Sequence, residues 1–199
     1  MNKKLWKEAA NWSLCIAAAI IMVLLMNMYV IQMYKVDGES MSPTFRNHEY
    51  LLISKLDRSF SHQDIVVIDS RIDRKPSFLD RLRSNSILSG NVSHLWIKRI
   101  IGMPGDELEF RDGALLRNGS ILDEPYLREA MAGVPDARFI VQDNYVFVMG
   151  DNRNNSLDSR MIGPVPFSHV IGKTAFLTDR ADRNKIFQIS LGYLLLFLP

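Results

Sequence analysis

The sequence predicts a mainly β domain of mixed and antiparallel sheets behind one N-terminal membrane-spanning helix. Three observations predict it. An uncharged apolar stretch runs from Trp12 to Tyr34, compact apolar runs of strand length recur from Tyr50 onward, and Gly- and Asn-containing turn signals separate those runs. No long amphipathic periodicity follows the first stretch.

The apolar stretch is about 23 residues long, roughly 34 Å as a helix, and a hydrocarbon core is near 30 Å thick. Trp12 at one end and Tyr29 and Tyr34 at the other suit the two interfaces. Lys3, Lys4 and Lys7 precede it, which puts residues 1–11 in the cytoplasm and everything from Lys35 onward outside. The run is too long for the core of a cleaved secretory signal, and its exit, Met-Tyr-Val-Ile-Gln-Met-Tyr, offers no small-x-small site, so an uncleaved anchor over 12–34 is expected.

An extracytoplasmic domain is expected over 35–185. Its strand candidates are Tyr50–Ser54, Ile65–Asp69, Trp96–Ile101, Glu107–Phe110, Tyr145–Met149 and Val170–Leu177. Asp112-Gly113, then Ala-Leu-Leu-Arg, then Asn118-Gly119 suggests consecutive hairpins. Residues 71–93 are rich in Arg, Ser, Asn and Asp, and read as an exposed insertion. Residues 186–199 are apolar again. They are short for a span, and a buried strand, a segment lying on the bilayer and a truncated second anchor all remain open.

Composition narrows the function classes. The chain carries a formal charge of +2, and without the first ten residues its basic and acidic side chains balance, so no charge excess points to nucleic acid. The one cysteine, Cys15, lies in the apolar stretch and excludes an intramolecular disulfide or a cysteine-rich zinc site. His48, His62, His94 and His169 show no ligand spacing; no metal or organic cofactor is implied.

Three segments carry chemistry. Gly38-Glu39-Ser40-Met41-Ser42-Pro43 places a serine in an irregular turn just beyond the anchor, where glycine and proline can aim its hydroxyl. Alone, Ser40 reads as a turn serine. Trp96-Ile97-Lys98-Arg99-Ile100 places Lys98 between Trp96 and Ile100 on one face of a strand. Desolvation there disfavours the ammonium, and a neutral amine can take a serine proton. Arg99 cannot act as a base. Alone, Lys98 reads as a lysine snorkelling from a strand. Gly150-Asp151-Asn152-Arg153-Asn154-Asn155-Ser156-Leu157-Asp158-Ser159-Arg160 is dense in short polar side chains that can build an ordered loop.

Together these segments resemble the boxes of bacterial type I signal peptidases. The chain order fits too: anchor, Ser-Met box, Asp-Ile-Val-Val at 64–67, Lys-Arg box, Gly-Asp-Asn-Arg box. The resemblance implies a signal-peptidase-type β domain and a serine endopeptidase with Ser40 as nucleophile and Lys98 as general base. It implies that Ser156 orients the lysine amine, that Asp158 and Arg160 hold the architecture with Asp151 and Arg153 in the same box, and that the Ser40 N–H serves the oxyanion. Gly38 stands where some relatives carry a donating serine, as in the compact Gram-positive form, and leaves the second oxyanion donor open. Met41, Phe45, Val67 and Ile97 fall where relatives line shallow pockets for small residues of an Ala-X-Ala site. Trp96 stands in place of a more usual tyrosine and is counted with them. The implied partners are signal peptides of exported preproteins at the translocation machinery and the lipid bilayer, with no nucleic acid; a monomer is expected. A self-cleaving cytosolic repressor shares the serine–lysine chemistry but not the anchor. An inactive assembly factor is expected to lack Ser40 or Lys98.

Overall fold

The computed structural model describes residues 3–74, 77 and 94–175. Helix α1, Lys3–Tyr29, is built from Ala, Leu, Ile and Met and has no charged residue after Glu8. Its stretch Trp6–Met26, 21 residues, is long and apolar enough to cross a membrane, and none of it is buried in the protein. Among the described residues it packs no face on the domain, and an all-round apolar helix of this length is compatible with a membrane span.

Helix α1 ends at Tyr29, inside the expected 12–34 stretch. Only Val30 separates α1 from strand β1, Ile31–Lys35. Strand β1 pairs antiparallel with β2, Tyr50–Ser54, matching Ile31 to Ser54 and Lys35 to Tyr50. Its side chains alternate, with Gln32 and Tyr34 buried and Ile31 and Met33 exposed. A period of two within an uninterrupted apolar run is masked when its neighbours are apolar as well. The β structure therefore starts at Ile31, ahead of Lys35.

The remaining strands are β3 Ile65–Asp69, β4 Leu95–Gly102, β5 Glu107–Arg111, β6 Ala114–Arg117, β7 Ser120–Ile121, β8 Ala137–Ile140, β9 Tyr145–Met149, β10 Val165–Pro166 and β11 Val170–Thr174. A short helix α2, Ser159–Ile162, follows the polar loop. One sheet has the order β1-β2-β11-β3-β4-β9-β10 and the other β7-β6-β5-β8. The pairings in both are antiparallel. The two hairpin signals fall as expected, on the β5–β6 and β6–β7 turns. Strands β1, β8 and β10 are additions to the expected set. Strand β11 ends at Thr174; residues 176–199, with the apolar C-terminal segment, lie outside the described residues, as do 75, 76 and 78–93 of the expected insertion.

Burial on both sides explains the continuous apolar runs. In β3, Ile65 and Val67 join a core with Met41, Phe45 and Ile53, while Val66 and Ile68 join a second core with Ile100, Val146 and Val148. Strand β9 does the same, sending Val146 and Val148 to the second core and Phe147 and Met149 to a third, shared with Leu108 and Phe110 of the small sheet. A strand buried on both faces shows no polar alternation. The third core joins the two sheets, and the polar loop after β9 leaves from that junction.

Candidate active site

The loop after β1 carries Ser40. Gly38 takes a φ of +93°, a region that suits glycine, and its N–H donates to Asn47 Oδ1 at 3.0 Å. Met41 and Phe45 are buried and anchor the loop in the first core. From the other side, the polar loop clamps it. Asn152 N donates to the Ser40 carbonyl at 2.9 Å, Asn152 Nδ2 donates to the Glu39 carbonyl at 3.2 Å, and Thr44 Oγ1 donates to Asp151 Oδ2 at 2.5 Å.

Lys98 comes from β4, opposite Val66 in register, and is 3% exposed. Its Nζ lies 2.8 Å from Ser40 Oγ and 5.7 Å from the Trp96 ring centre. Burial pushes its pKa down to about 8, against the pull of the Asp158 and Asp151 carboxylates and with a smaller push from Arg160. Those carboxylates belong to other cations. Asp151 takes a bidentate pair from Arg99, at 2.8 and 2.6 Å, and Asp158 takes one from Arg160, both bonds at 2.8 Å. Arg153, buried, is clamped by both oxygens of Glu124. Each buried arginine is thus matched by its own acid, and among the described residues no carboxylate forms an ion pair with Lys98. A buried lysine without a counter-ion favours its neutral form.

The polar loop is ordered by the same groups. Asp158 Oδ2 accepts from Gly150 N at 3.1 Å and the Asp158 side chain caps α2 through Arg160 N. Burial works against its ionisation, but the Arg160 bonds and Gly150 N–H outweigh it and hold the carboxyl below the ordinary value. Arg160 also donates to the Arg153 carbonyl at 2.7 Å, and Arg153 Nε to the Gly150 carbonyl at 3.1 Å. At Gly150 a Cβ would stand 2.3 Å from Ser156 Oγ and 2.5 Å from the Ser40 carbonyl. Only glycine allows the serine loop and the polar loop to approach this closely.

Most of the expected site is brought together. Ser40, Lys98, Asp151, Arg153, Ser156, Asp158 and Arg160 surround one point between β4 and the polar loop. The Ser156 hydroxyl lies 3.5 Å from the Leu157 carbonyl and close above Gly150, and the Lys98 amine bonds the Ser40 hydroxyl. Met41, Phe45 and Val67 pack as one core with Ile97 at its edge, so the first three form a floor and Ile97, half-buried, offers surface. Trp96 does not join them. Its register partner is Ile68, and it packs at the edge of the second core, because neighbours in a strand point to opposite faces.

Three contributors were not among the expected site residues. Arg99 forms the buried pair with Asp151 and stacks its guanidinium 3.9 Å from the Tyr126 ring centre. Glu124 and Tyr126, bonded to each other at 2.7 Å, start a strap, residues 122–134, that covers these two arginines. Asn154 ties the strap down through Ala132 N at 2.9 Å, Glu129 Oε1 at 3.0 Å and the Ala130 carbonyl at 3.1 Å. The available signal was charge balance, since a loop that buries Arg153 needs an acid from elsewhere, and Asp-Glu-Pro-Tyr at 123–126 is an acidic segment in the connection between two strands.

The profile of the family described as signal peptidase, peptidase S26, matches residues 9–178. Signal peptidase I S of Bacillus subtilis is 35% identical over 167 residues, 77% of this chain and 79% of its own length. Signal peptidase I of Bacillus licheniformis is 32% identical over 196 residues, 88% of this chain and 90% of its own. A crystal structure of a signal peptidase I from Enterococcus faecalis aligns with 27% identity and a TM-score of 0.43, covering 59% of this chain and 97% of that one. With a family match across most of its length and close relatives of similar extent, the chain belongs to the signal peptidase family, peptidase S26, and with it to the serine endopeptidases.

Proposed function

We propose that this chain removes signal peptides from exported preproteins, with Ser40 as the nucleophile and Lys98 as the general base. The observation that carries this reading is the 2.8 Å approach of the Lys98 amine to the Ser40 hydroxyl, in a site where every arginine has its own carboxylate. With a pKa of about 8, about one Lys98 in ten is neutral at pH 7, against roughly one in 3,000 at the ordinary value of 10.5. The neutral Nζ takes the hydroxyl proton as Oγ attacks the scissile carbonyl. The resulting ammonium returns the proton to the departing amine, leaving an ester on Ser40. Lys98, neutral again, deprotonates the water that hydrolyses the ester.

The developing oxyanion is served by the Ser40 N–H. The Gly38 N–H is already engaged by Asn47, so the second donor comes from another group. Ser156 orients the Lys98 amine, and the Asp158 and Asp151 carboxylates set the field on it. The signal side of an Ala-X-Ala-like substrate lies over the floor of Met41, Phe45 and Val67, with Ile97 at the rim. The chain works as a monomer beside the translocation machinery, with Lys3, Lys4 and Lys7 in the cytoplasm and the domain outside. The single residue between α1 and β1 keeps the site near the bilayer, where a membrane-embedded signal peptide presents its cleavage point.

The test is cleavage of a detergent-solubilised preprotein by the full chain and by Ser40→Ala and Lys98→Ala, with the product N-terminus sequenced. Cutting after Ala-X-Ala by the unsubstituted chain, with losses of at least about a hundredfold in both variants, is expected. Full activity in either variant excludes the pair.

A further inference from the structure

A groove of about 370 Å³ opens beside the serine, on the side of the small sheet. Its floor is Phe110 and Phe139, set edge to face with centres 5.9 Å apart. One wall is Val134 at the end of the strap; the other is Met161 and Arg160 of α2. Its inner end is Ser156. None of the residues expected to receive the signal side, Met41, Phe45, Val67, Trp96 or Ile97, lines it. Those belong to the large sheet and the serine loop, whereas the floor here is β5 and β8.

Ser156, at the inner end of the groove, packs beside the loop that carries the reacting serine. Ser156 Oγ and the Ser40 carbonyl both crowd the same point above Gly150, at 2.3 and 2.5 Å from where its Cβ would stand. A peptide whose carbonyl carbon sits on Ser40 Oγ has two ends. With one end over the large-sheet floor, the groove that begins at Ser156 lies on the side open to the other. Most of the lining is apolar, and its two cations, Arg153 and Arg160, are already paired with Glu124 and Asp158. Such a site suits an extended peptide with an apolar side chain, and its size fits a few side chains rather than a folded surface. Met161 is 71% exposed and Phe110 2%, so among the described residues the groove has an open rim and a buried floor.

We propose that this groove is a subsite for the mature side of the substrate, holding the extended residues that follow the scissile bond with an apolar side chain against Phe110 and Phe139. The proposal rests on the Ser40–Lys98 reading and extends it to the leaving segment.

The test compares two substrates sharing one signal segment: a full-length preprotein with an apolar residue shortly after the cleavage point, and a peptide that ends one residue after it. The full chain in detergent is expected to cut the long substrate with a kcat/KM about tenfold above the short one, the scale of burying one apolar side chain. Ala137→Trp, which fills the groove from β8, and Met161→Asp, at its exposed rim, are expected to bring that ratio to about one while the short peptide is still cut. The ratio is read within each variant, so a general loss of folded protein cancels. A ratio near one in the unsubstituted chain overturns the subsite, and so does a tenfold ratio that survives both substitutions. Failure of the unsubstituted chain to cut either substrate defeats the Ser40–Lys98 reading itself, and the subsite with it.

Discussion

Replacing Lys98 with Met should make the protein more stable while abolishing its chemistry. Lys98 is 3% exposed and its pKa falls from 10.5 to about 8 because burial disfavours the ammonium. The unfolded chain therefore binds that proton more tightly than the folded one, and folding is opposed at every pH below the unfolded value. A difference of about 2.5 pKa units corresponds to a penalty on the order of 3 kcal/mol at pH 7, where the folded group is still mostly charged. The penalty shrinks as pH rises through the interval between the two pKa values, to about 2 kcal/mol at pH 9 and about 1 kcal/mol at pH 10. Met has a similar length, no charge to desolvate, and apolar neighbours in Trp96 and Val66. Urea unfolding of the full chain in detergent, followed by the change in tryptophan fluorescence and repeated from pH 7 to pH 10, should show Lys98→Met more stable by up to about 3 kcal/mol at pH 7 and the gap closing with pH. Equal stability at pH 7, or a gap that does not change with pH, would refute the claim that Lys98 is held in a desolvated, unpaired site.

The same pKa sets the activity profile. Cleavage by the unsubstituted chain should climb about tenfold per pH unit from pH 6 to 7 and level off above pH 8 to 9, read as kcat/KM across overlapping buffers; a rate flat from pH 6 to 9 contradicts a base titrating near 8. Glu124→Gln leaves Arg153, whose side chain is fully buried, without its counter-charge and should destabilise the domain by about 3 kcal/mol, measured by the same urea titration at pH 7. A change below about 0.5 kcal/mol would mean that the strap is not needed to neutralise the polar loop.

The chain's local chemistry was legible where it depends on neighbours in sequence. Tyr50–Ser54, Ile65–Asp69 and Tyr145–Met149 form strands with the expected bounds, because runs of Val, Ile and Leu bounded by polar turns suit little else at that length. The Asn118-Gly119 turn joins its two short strands because both residues adopt positive φ there. Strand β1 was hidden, since Ile31–Lys35 continues an apolar run and only pairing with β2 distinguishes it from more helix. Strand β8 was hidden for the opposite reason: Ala-Arg-Phe-Ile is too short to signal anything until it finds Glu107–Phe110.

By itself the sequence determined that an apolar span precedes a β domain, and which residue types could do the chemistry: a serine in a constrained turn, a lysine between apolar neighbours, and a loop crowded with acids, amides and arginines. It could not determine how those groups pair. Tertiary structure decided that Arg99 takes Asp151, that Arg160 takes Asp158 and that Arg153 takes Glu124 from a distant connection, so that Lys98 is left facing Ser40. It also decided that Trp96 faces away from Ile97 and packs at the edge of the second core. The reason is physical. Residue type and local spacing set what a side chain can do, but the pKa of a buried amine depends on which charges lie within a few ångströms of it, and those arrive from strands and loops far apart in the chain.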